Sequence, residues 1–462
     1  MVERINLGLG QYNYNTINNV SRVIPNSVQN ESCEKVSFCA STVPISNSAT
    51  NSVPVQLRTE LTTKDEKEQY KTILSKLDKT SRKSLDLLLK GGILLSNNSD
   101  DKSTVLTNLY KIATEPRAEG LNTNTILKDT ISTIIYPYMI TQQFGDIPSK
   151  YRDEVIRINN KTNPNPTLSV EDVDVEHSGT CVAASTEFKL AKQAPAEFAR
   201  FAQELSSPKM SVEKTISLIE LADNTLNGVW LLNAFEIPYE MKDYNTARIK
   251  LAPDKNALVR AQIQTTDKDP DERTPLDVLM QSTFMQVGSQ QSYNTITDKR
   301  AGKFNQNDKG LIEFEKTFTE SVVFGKNILS VTYQTVDENA RLIGYETDFG
   351  TMKKHITEAI DMGENVIIGY TQTNENNIIV NGHEITIVGY RTDNNGKTVF
   401  ICNDTDDNIS KPIEYSEDYL LPKIHHAALP KEIVETDMDI VPNWVEGINT
   451  YKEMKKQYSA AA

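Results

Sequence analysis

The chain of 462 residues is poor in the features that would assign it to an easy class. No apolar run approaches the roughly 20 residues of a membrane helix, and the first ten residues lack the long apolar stretch of a secretory signal. The default expectation is therefore a cytoplasmic protein without membrane contact. Basic charge is in deficit: 49 Lys and Arg against 63 Asp and Glu give a formal net charge of -14, which argues against a nucleic-acid or anionic-membrane binder, since either partner needs a concentrated basic face. Four cysteines are too few for a disulfide framework in so long a chain. Cys33 and Cys39 are not spaced as C-x-x-C and have no histidine nearby to complete a zinc site. Glycine-rich phosphate loops and the G-x-S-x-G elbow are missing. Two acidic runs, beginning at Asp267 and Asp404, suggest calcium until the loop rule is applied. Glu272 and Ile409 stand where glycine is required, and Val278 and Tyr415 where the closing Glu belongs. Both runs read as solvated turns, and no metal or cofactor is expected.

With 24% charged and 38% hydrophobic residues, most of the chain reads as ordinary globular protein, long enough for two or three domains. Residues 1–60 are crowded with Asn, Ser and Thr and read as a disordered or loosely docked arm. In 61–150, Tyr70, Ile73, Leu74 and Leu77, then Leu85, Leu88 and Leu89, mark one helical face. Further helices at 104–113 and 125–136 complete a helical N-terminal domain, in the place of a pro-segment. The Pro-containing stretch 159–167 reads as a loop. In 151–430, helices are expected at 180–193, 195–205, 212–223, 276–287, 311–318 and 348–362, and strand-like runs at 247–251 and 257–264. Strands follow at 365–371, 377–380, 383–390 and 398–402, separated by Asn/Gly turns. Helices first and an antiparallel sheet afterwards imply an α+β architecture, with 431–462 as a C-terminal tail or helix. There is no internal repeat.

Three stretches carry chemistry. A cysteine attacks as its thiolate, which a helix N-terminus favours. Cys181 suits that place, with Ser178 as N-cap, small Gly179 beside it, and Val182, Ala184, Phe188 and Ala191 forming a buried face behind it. Its backbone N–H is positioned to form half of an oxyanion site. The bland alternative is a buried core cysteine. His383 begins an alternating strand and would be held rigidly. His355, His425 and His426 read as packing or surface residues, and His177, four positions before Cys181, is the competitor. After the next strand, Asn403 is the first choice to fix the imidazole and Asp404 the second.

These stretches resemble the papain-like cysteine peptidases, especially divergent bacterial ones. Gly-Thr-Cys181-Val-Ala-Ala-Ser resembles the family's Gly-Ser-Cys-Trp-Ala-Phe-Ser. Gly382-His383-Glu-Ile-Thr-Ile-Val-Gly-Tyr resembles Gly/Asp-His-Ala-Val-x-x-Val-Gly-Tyr, and Phe-Ile-Cys-Asn403 resembles the strand before Asn-Ser-Trp-Gly. The likeness covers about 40 residues in pieces. Val182 and Thr405 stand where the family has Trp. Val175, Glu176 and His177 occupy the neighbourhood of its oxyanion Gln, which leaves Gln142 or Gln143, farther upstream, as oxyanion candidates. The separation of Cys181 from His383 exceeds the family's and implies insertions between 224 and 347.

The resemblance implies a two-lobed fold, one lobe helical and one an antiparallel sheet, and a thiol hydrolase acting on a peptide or protein substrate through Cys181, His383 and Asn403 or Asp404 without a cofactor. A transglutaminase-like or amidase acyl transferase would use the same order of residues, and a non-catalytic binding module would keep only the shape. Substrate, oligomeric state and the fate of the N-terminal region are not written in the sequence.

Overall fold

A computed structural model describes residues 57–437 except 144–146, 163–167, 171–172, 174–178, 222–227, 267–271, 301–309 and 407–409, together with 453 and 456. The expected arm before residue 57, the acidic run 267–271, Ser178 and the competitor His177 therefore lie outside the described residues.

The described chain is α+β. Its first part is helical: α1 (Lys64–Lys76), α2 (Lys79–Lys90), α3 (Val105–Thr114), α4 (Thr123–Ile135), α5 (Ser149–Thr162), α6 (Cys181–Gln193) and α7 (Pro195–Leu205). Local sequence sets the ends. Thr63 and Glu66 form a reciprocal capping box at α1, and the side chains of Asp78, Thr104 and Asn122 cap α2, α3 and α4. Next come β1 (Val212–Ser217), α8 (Gly228–Ala234), β2 (Tyr239–Met241) and β3 (Thr246–Leu251), with the strands forming a small antiparallel sheet in the order β1-β3-β2. Helices α9 (Ala257–Thr266), α10 (Pro275–Gly288) and α11 (Glu313–Phe324) follow. Helices α1 to α4 share one continuous apolar core with α6, α7, α10 and α11, from Ile73 to Val323.

The second part is a six-stranded sheet built from β4 (Ile328–Thr332), β7 (Val366–Thr373), β8 (Ile379–Thr392), β9 (Thr398–Asn403), β10 (Ile413–Ser416) and β11 (Ile424–Pro430). Its order is β10-β9-β8-β7-β11-β4, with every neighbouring pair antiparallel. A hairpin of β5 (Gln334–Val336) and β6 (Leu342–Tyr345) leads to α12 (Phe349–Asp361), whose Met352, Ile356 and Ala359 pack on the sheet residues Val366, Ile368, Ile385 and Ile387. Short helices α13 (Glu417–Leu420) and α14 (Lys431–Thr436) flank β11. No helix among the described residues is long and apolar enough to cross a membrane.

Several expectations fail, among them the loop at 159–167, whose residues 159–162 end α5. Residues 212–217 form a strand rather than a helix, because burial alternates through Val212, Lys214 and Ile216. Val212, Ile216 and Ile219 also satisfy a helical spacing, and pairing with β3 decides between the periods. Conversely, residues 257–266 form a helix that buries Ala257, Arg260, Ala261 and Gln264, a helical face half made of polar residues. The runs 377–380 and 383–390 are one strand, β8.

α10 is buried along its whole length although it carries Asp277, Gln281, Ser282 and Gln286. A helix buried on every side needs its polar groups paired within the protein: Asp277 caps the helix at Thr274, Ser282 bonds Asp254, Gln286 donates to Tyr293 O, and Gln281 serves the segment that carries Cys181.

Candidate active site

Cys181 is the first residue of α6, and its sulfur is half-buried rather than sealed in the core. The N-cap is Thr180, and its hydroxyl does not cap the helix. It donates instead to Gln281 Oε1 at 3.1 Å and accepts a short hydrogen bond from Arg273 Nη2. The preceding Gly179 N–H donates to Asp298 Oδ2 at 2.9 Å, and Asp298 also accepts from Tyr293 and lies 3.5 Å from Arg273. Gly310 abuts this turn closely: a Cβ there would sit 3.0 Å from Gly179 O. The backbone before the thiol is thus fixed from three sides by Asp298, Arg273 and Gln281. None of these was singled out from the sequence. Gln281 is a polar residue within a helical pattern, which does not say what it faces, and Arg273 and Asp298 lie outside the helices and leave no local signal.

Behind the thiol, α6 buries ten successive residues, Val182 to Ala191. Lys189 is paired with Glu320 of α11 and lies 3.2 Å from Glu364, at the entry to β7. One buried cation therefore joins α6 to both parts of the molecule. Glu187 takes a hydrogen bond from Gln281 Nε2 at 3.0 Å, and its carboxyl is pushed well above its ordinary range by burial and by neighbouring Asp277.

β8 brings His383 to Cys181. The imidazole comes within interaction range of the Cys181 side chain, which adds to the raising of its pKa, and its Nε2 lies 2.7 Å from Asp404 Oδ1. With Nε2 engaged there, Nδ1 is the nitrogen left for the thiol. Burial pulls the imidazole pKa down. The charge and hydrogen bond of Asp404, followed by the contact with Cys181, outweigh that pull and hold it well above the ordinary histidine value. Asp404 is itself oriented by the backbone N–H of Asp406, which donates to the same oxygen at 3.0 Å.

Asp404, not Asn403, is the partner of His383. Asn403 is buried on the strand opposite Thr386, and its Nδ2 has no hydrogen-bond partner. The reason is register. β8 carries an irregularity between Ile387 and Gly389 against β9, and a one-residue slip moves a side chain to the other face. The second thiol of this region, Cys402, is buried, and burial together with the charge of Asp404 pushes its pKa strongly up.

Gln142 and Gln143 lie beside the orienting loop. Gln142 Nε2 donates to Asp406 Oδ1 at 3.0 Å, and Gln143 Nε2 reaches the same oxygen at 2.6 Å. Gln142 N–H donates to Thr405 O at 2.9 Å, and Thr405 Oγ1 donates to Gln142 Oε1 at 3.1 Å. Their side-chain amides donate to this loop, away from the oxyanion role expected of them. Arg273 also donates from Nη2 to Gln142 O at 2.8 Å, so a single guanidinium bridges the nucleophile's turn and the strap over the orienter. His355 packs inside, between the Tyr333 hydroxyl at 2.9 Å and Asp437 at 3.1 Å. His425 and His426 are buried, not on the surface.

When the chain is compared with protein-family models, with curated proteins and with solved structures, none of them matches.

Proposed function

We propose that the chain is a thiol hydrolase of the papain-like kind, cleaving peptide bonds with Cys181 as nucleophile, His383 as acid and base, and Asp404 as the residue that orients His383. The observation that carries this reading is the position of one imidazole between a partly buried helix-tip thiol and a carboxylate. That order of groups allows an imidazolium–thiolate pair, and the raised pKa of His383 favours its charged half. In this reading the helical part and the six-stranded sheet would serve as the two lobes of the enzyme.

In the reaction, the thiolate of Cys181 adds to the scissile carbonyl. The oxyanion that forms lies at the start of α6, where the backbone N–H of Cys181 is available as a donor. His383 gives its proton to the leaving amine, the C–N bond breaks and a thioester remains. Water then loses a proton to His383 and attacks the thioester, and the acid and free thiol are released. Asp404 accepts from His383 Nε2–H throughout and stabilises the imidazolium without taking its proton. The strap of Gln142 and Gln143 over Thr405 and Asp406 supplies the cover that the family obtains from Trp.

The test is cleavage of a mixed peptide library, read by mass spectrometry, by the full chain and by Cys181→Ala, with and without an added primary amine. Cleavage that needs Cys181 and yields free carboxylates supports the reading. Amide products formed with the amine would shift it to an acyl transferase. Equal inertness of both proteins, each shown to be folded, would leave a binding module.

A further inference from the structure

A second cluster lies where α11 meets the sheet. Glu313 opens α11, and His425 and His426 are neighbours on β11, where a register irregularity separates Ile424 from His426 in the pairing with β7. Three atoms converge: His425 Nδ1 and His426 Nδ1 are 3.0 Å apart, and Glu313 Oε1 lies 3.3 Å from the first and 3.8 Å from the second. Zinc held tetrahedrally by nitrogen and oxygen at about 2.0–2.2 Å sets its ligands about 3.3–3.5 Å apart. The three measured separations bracket that value.

The surroundings are those of a ligand set. His426 Nε2, its far nitrogen, lies 3.1 Å from Glu384 Oε1, a close charge contact without hydrogen-bond geometry, and Lys316 holds the other oxygen of Glu384 at 3.1 Å. A carboxylate behind a ligating imidazole is the usual way its tautomer and orientation are fixed. Thr332 Oγ1 donates to Glu313 Oε2 at 3.2 Å, leaving Oε1 to face the rings. The backbone makes room as well. A Cβ at Gly369 of β7 would sit 2.3 Å from His426 Cε1 and 2.6 Å from its Nδ1, so only glycine lets the ring lie where it does. The side chains of both histidines are at most 5% exposed, and that of Glu313 is 22% exposed.

We propose that Glu313, His425 and His426 bind a divalent cation of the zinc type through Oε1, Nδ1 and Nδ1, with water as fourth ligand. Two imidazoles and one carboxylate suit zinc better than calcium or magnesium, which prefer oxygen ligands throughout. The ion would pin α11 to β11, joining the helical part to the sheet. Its supporting carboxylate, Glu384, directly follows His383 on β8. This site shares no ligand with the Cys181 site and does not depend on its assignment.

The experiment uses the full chain carrying Cys181→Ala, so that the thiol cannot capture the metal. The protein is stripped with chelator and titrated with Co2+ by visible absorption and with Zn2+ by calorimetry. The expected result is one ion per chain, with the absorption of a tetrahedral nitrogen–oxygen site and no sulfur charge-transfer band. Affinity should fall about 100-fold or more in His426→Ala and Glu313→Ala, and about 10–100-fold in Glu384→Gln. If the ligand variants do not fold, the parent decides: Zn2+ should raise its unfolding midpoint and chelator should reverse the rise. No binding and no rise, or equal binding by folded ligand variants, would overturn the proposal.

Discussion

His383 and His425 sit on the same six-stranded sheet, each against a carboxylate, and their surroundings drive their pKa values in opposite directions. Asp404 pairs with one imidazole at 2.7 Å. Its charge overcomes burial, and His383 is held toward the protonated form. Around the second cluster the carboxylates are shared: Glu313 lies against two rings, and Glu384 already holds Lys316. Burial therefore dominates at His425, and its pKa is pushed down to about 4, with Glu313 opposing the shift and His426 adding to it. Burial alone does not set the state of a histidine. What matters is whether a carboxylate is left free to pair with it. One arrangement suits proton transfer, and the other keeps nitrogen lone pairs available.

Substitutions that strike one side of this contrast should leave the other intact. The largest effect is expected for Cys181→Ala and His383→Ala, each lowering peptide hydrolysis by about 10³-fold or more while cation binding by the second cluster stays unchanged. Next is Asp404→Asn, expected to lower kcat/KM by about 10²-fold, with Asn403→Ala changing it by less than about threefold. Calorimetric and kinetic comparison of these two variants checks which residue orients His383.

The sign of the pH effect follows from the raised pKa of His383. Its charge stabilises the fold below the unfolded-state value of about 6.5, and that stabilisation is lost as pH rises through the higher folded value. The stability gap between wild type and Asp404→Asn should therefore be wider at about pH 6 than at about pH 9. Denaturant titrations at the two values measure it.

Arg273→Met should cost about 3 kcal/mol, because Asp298 would keep its buried charge without the guanidinium. It should also lower kcat more than it raises KM, through loosening of Gly179 and Thr180. The smallest effect is expected for Gln143→Ala, whose exposed hydrogen bond to Asp406 is worth under about 1 kcal/mol, with hydrolysis changed by about twofold.

The helices and the antiparallel sheet were legible where one period dominated: Ile73, Leu77, Leu85 and Leu88 all enter the core, and the alternation of Ile385 and Ile387 marks β8. Residues 212–217 and 257–264 were misread because each fits two periods, and the partner strand or packing surface chooses between them. Cys181 and His383 were legible because a small-residue helix start and a strand opening leave local marks. The choice between Asn403 and Asp404 was not, since it turns on an irregularity between Ile387 and Gly389 that only pairing with β9 produces. Arg273, Asp298 and Gln281 were invisible for a related reason. They lie about 90 to 120 residues beyond Thr180 and meet it only through the packing of α10.

The contact of Cys181 with His383 is tested most directly by alkylation with iodoacetamide at about pH 6, followed by peptide mapping of all four cysteines. The account predicts that Cys181 is modified far faster than Cys402, and that this preference disappears in His383→Ala while the fold persists. Modification of Cys181 at one and the same rate in both proteins would contradict it.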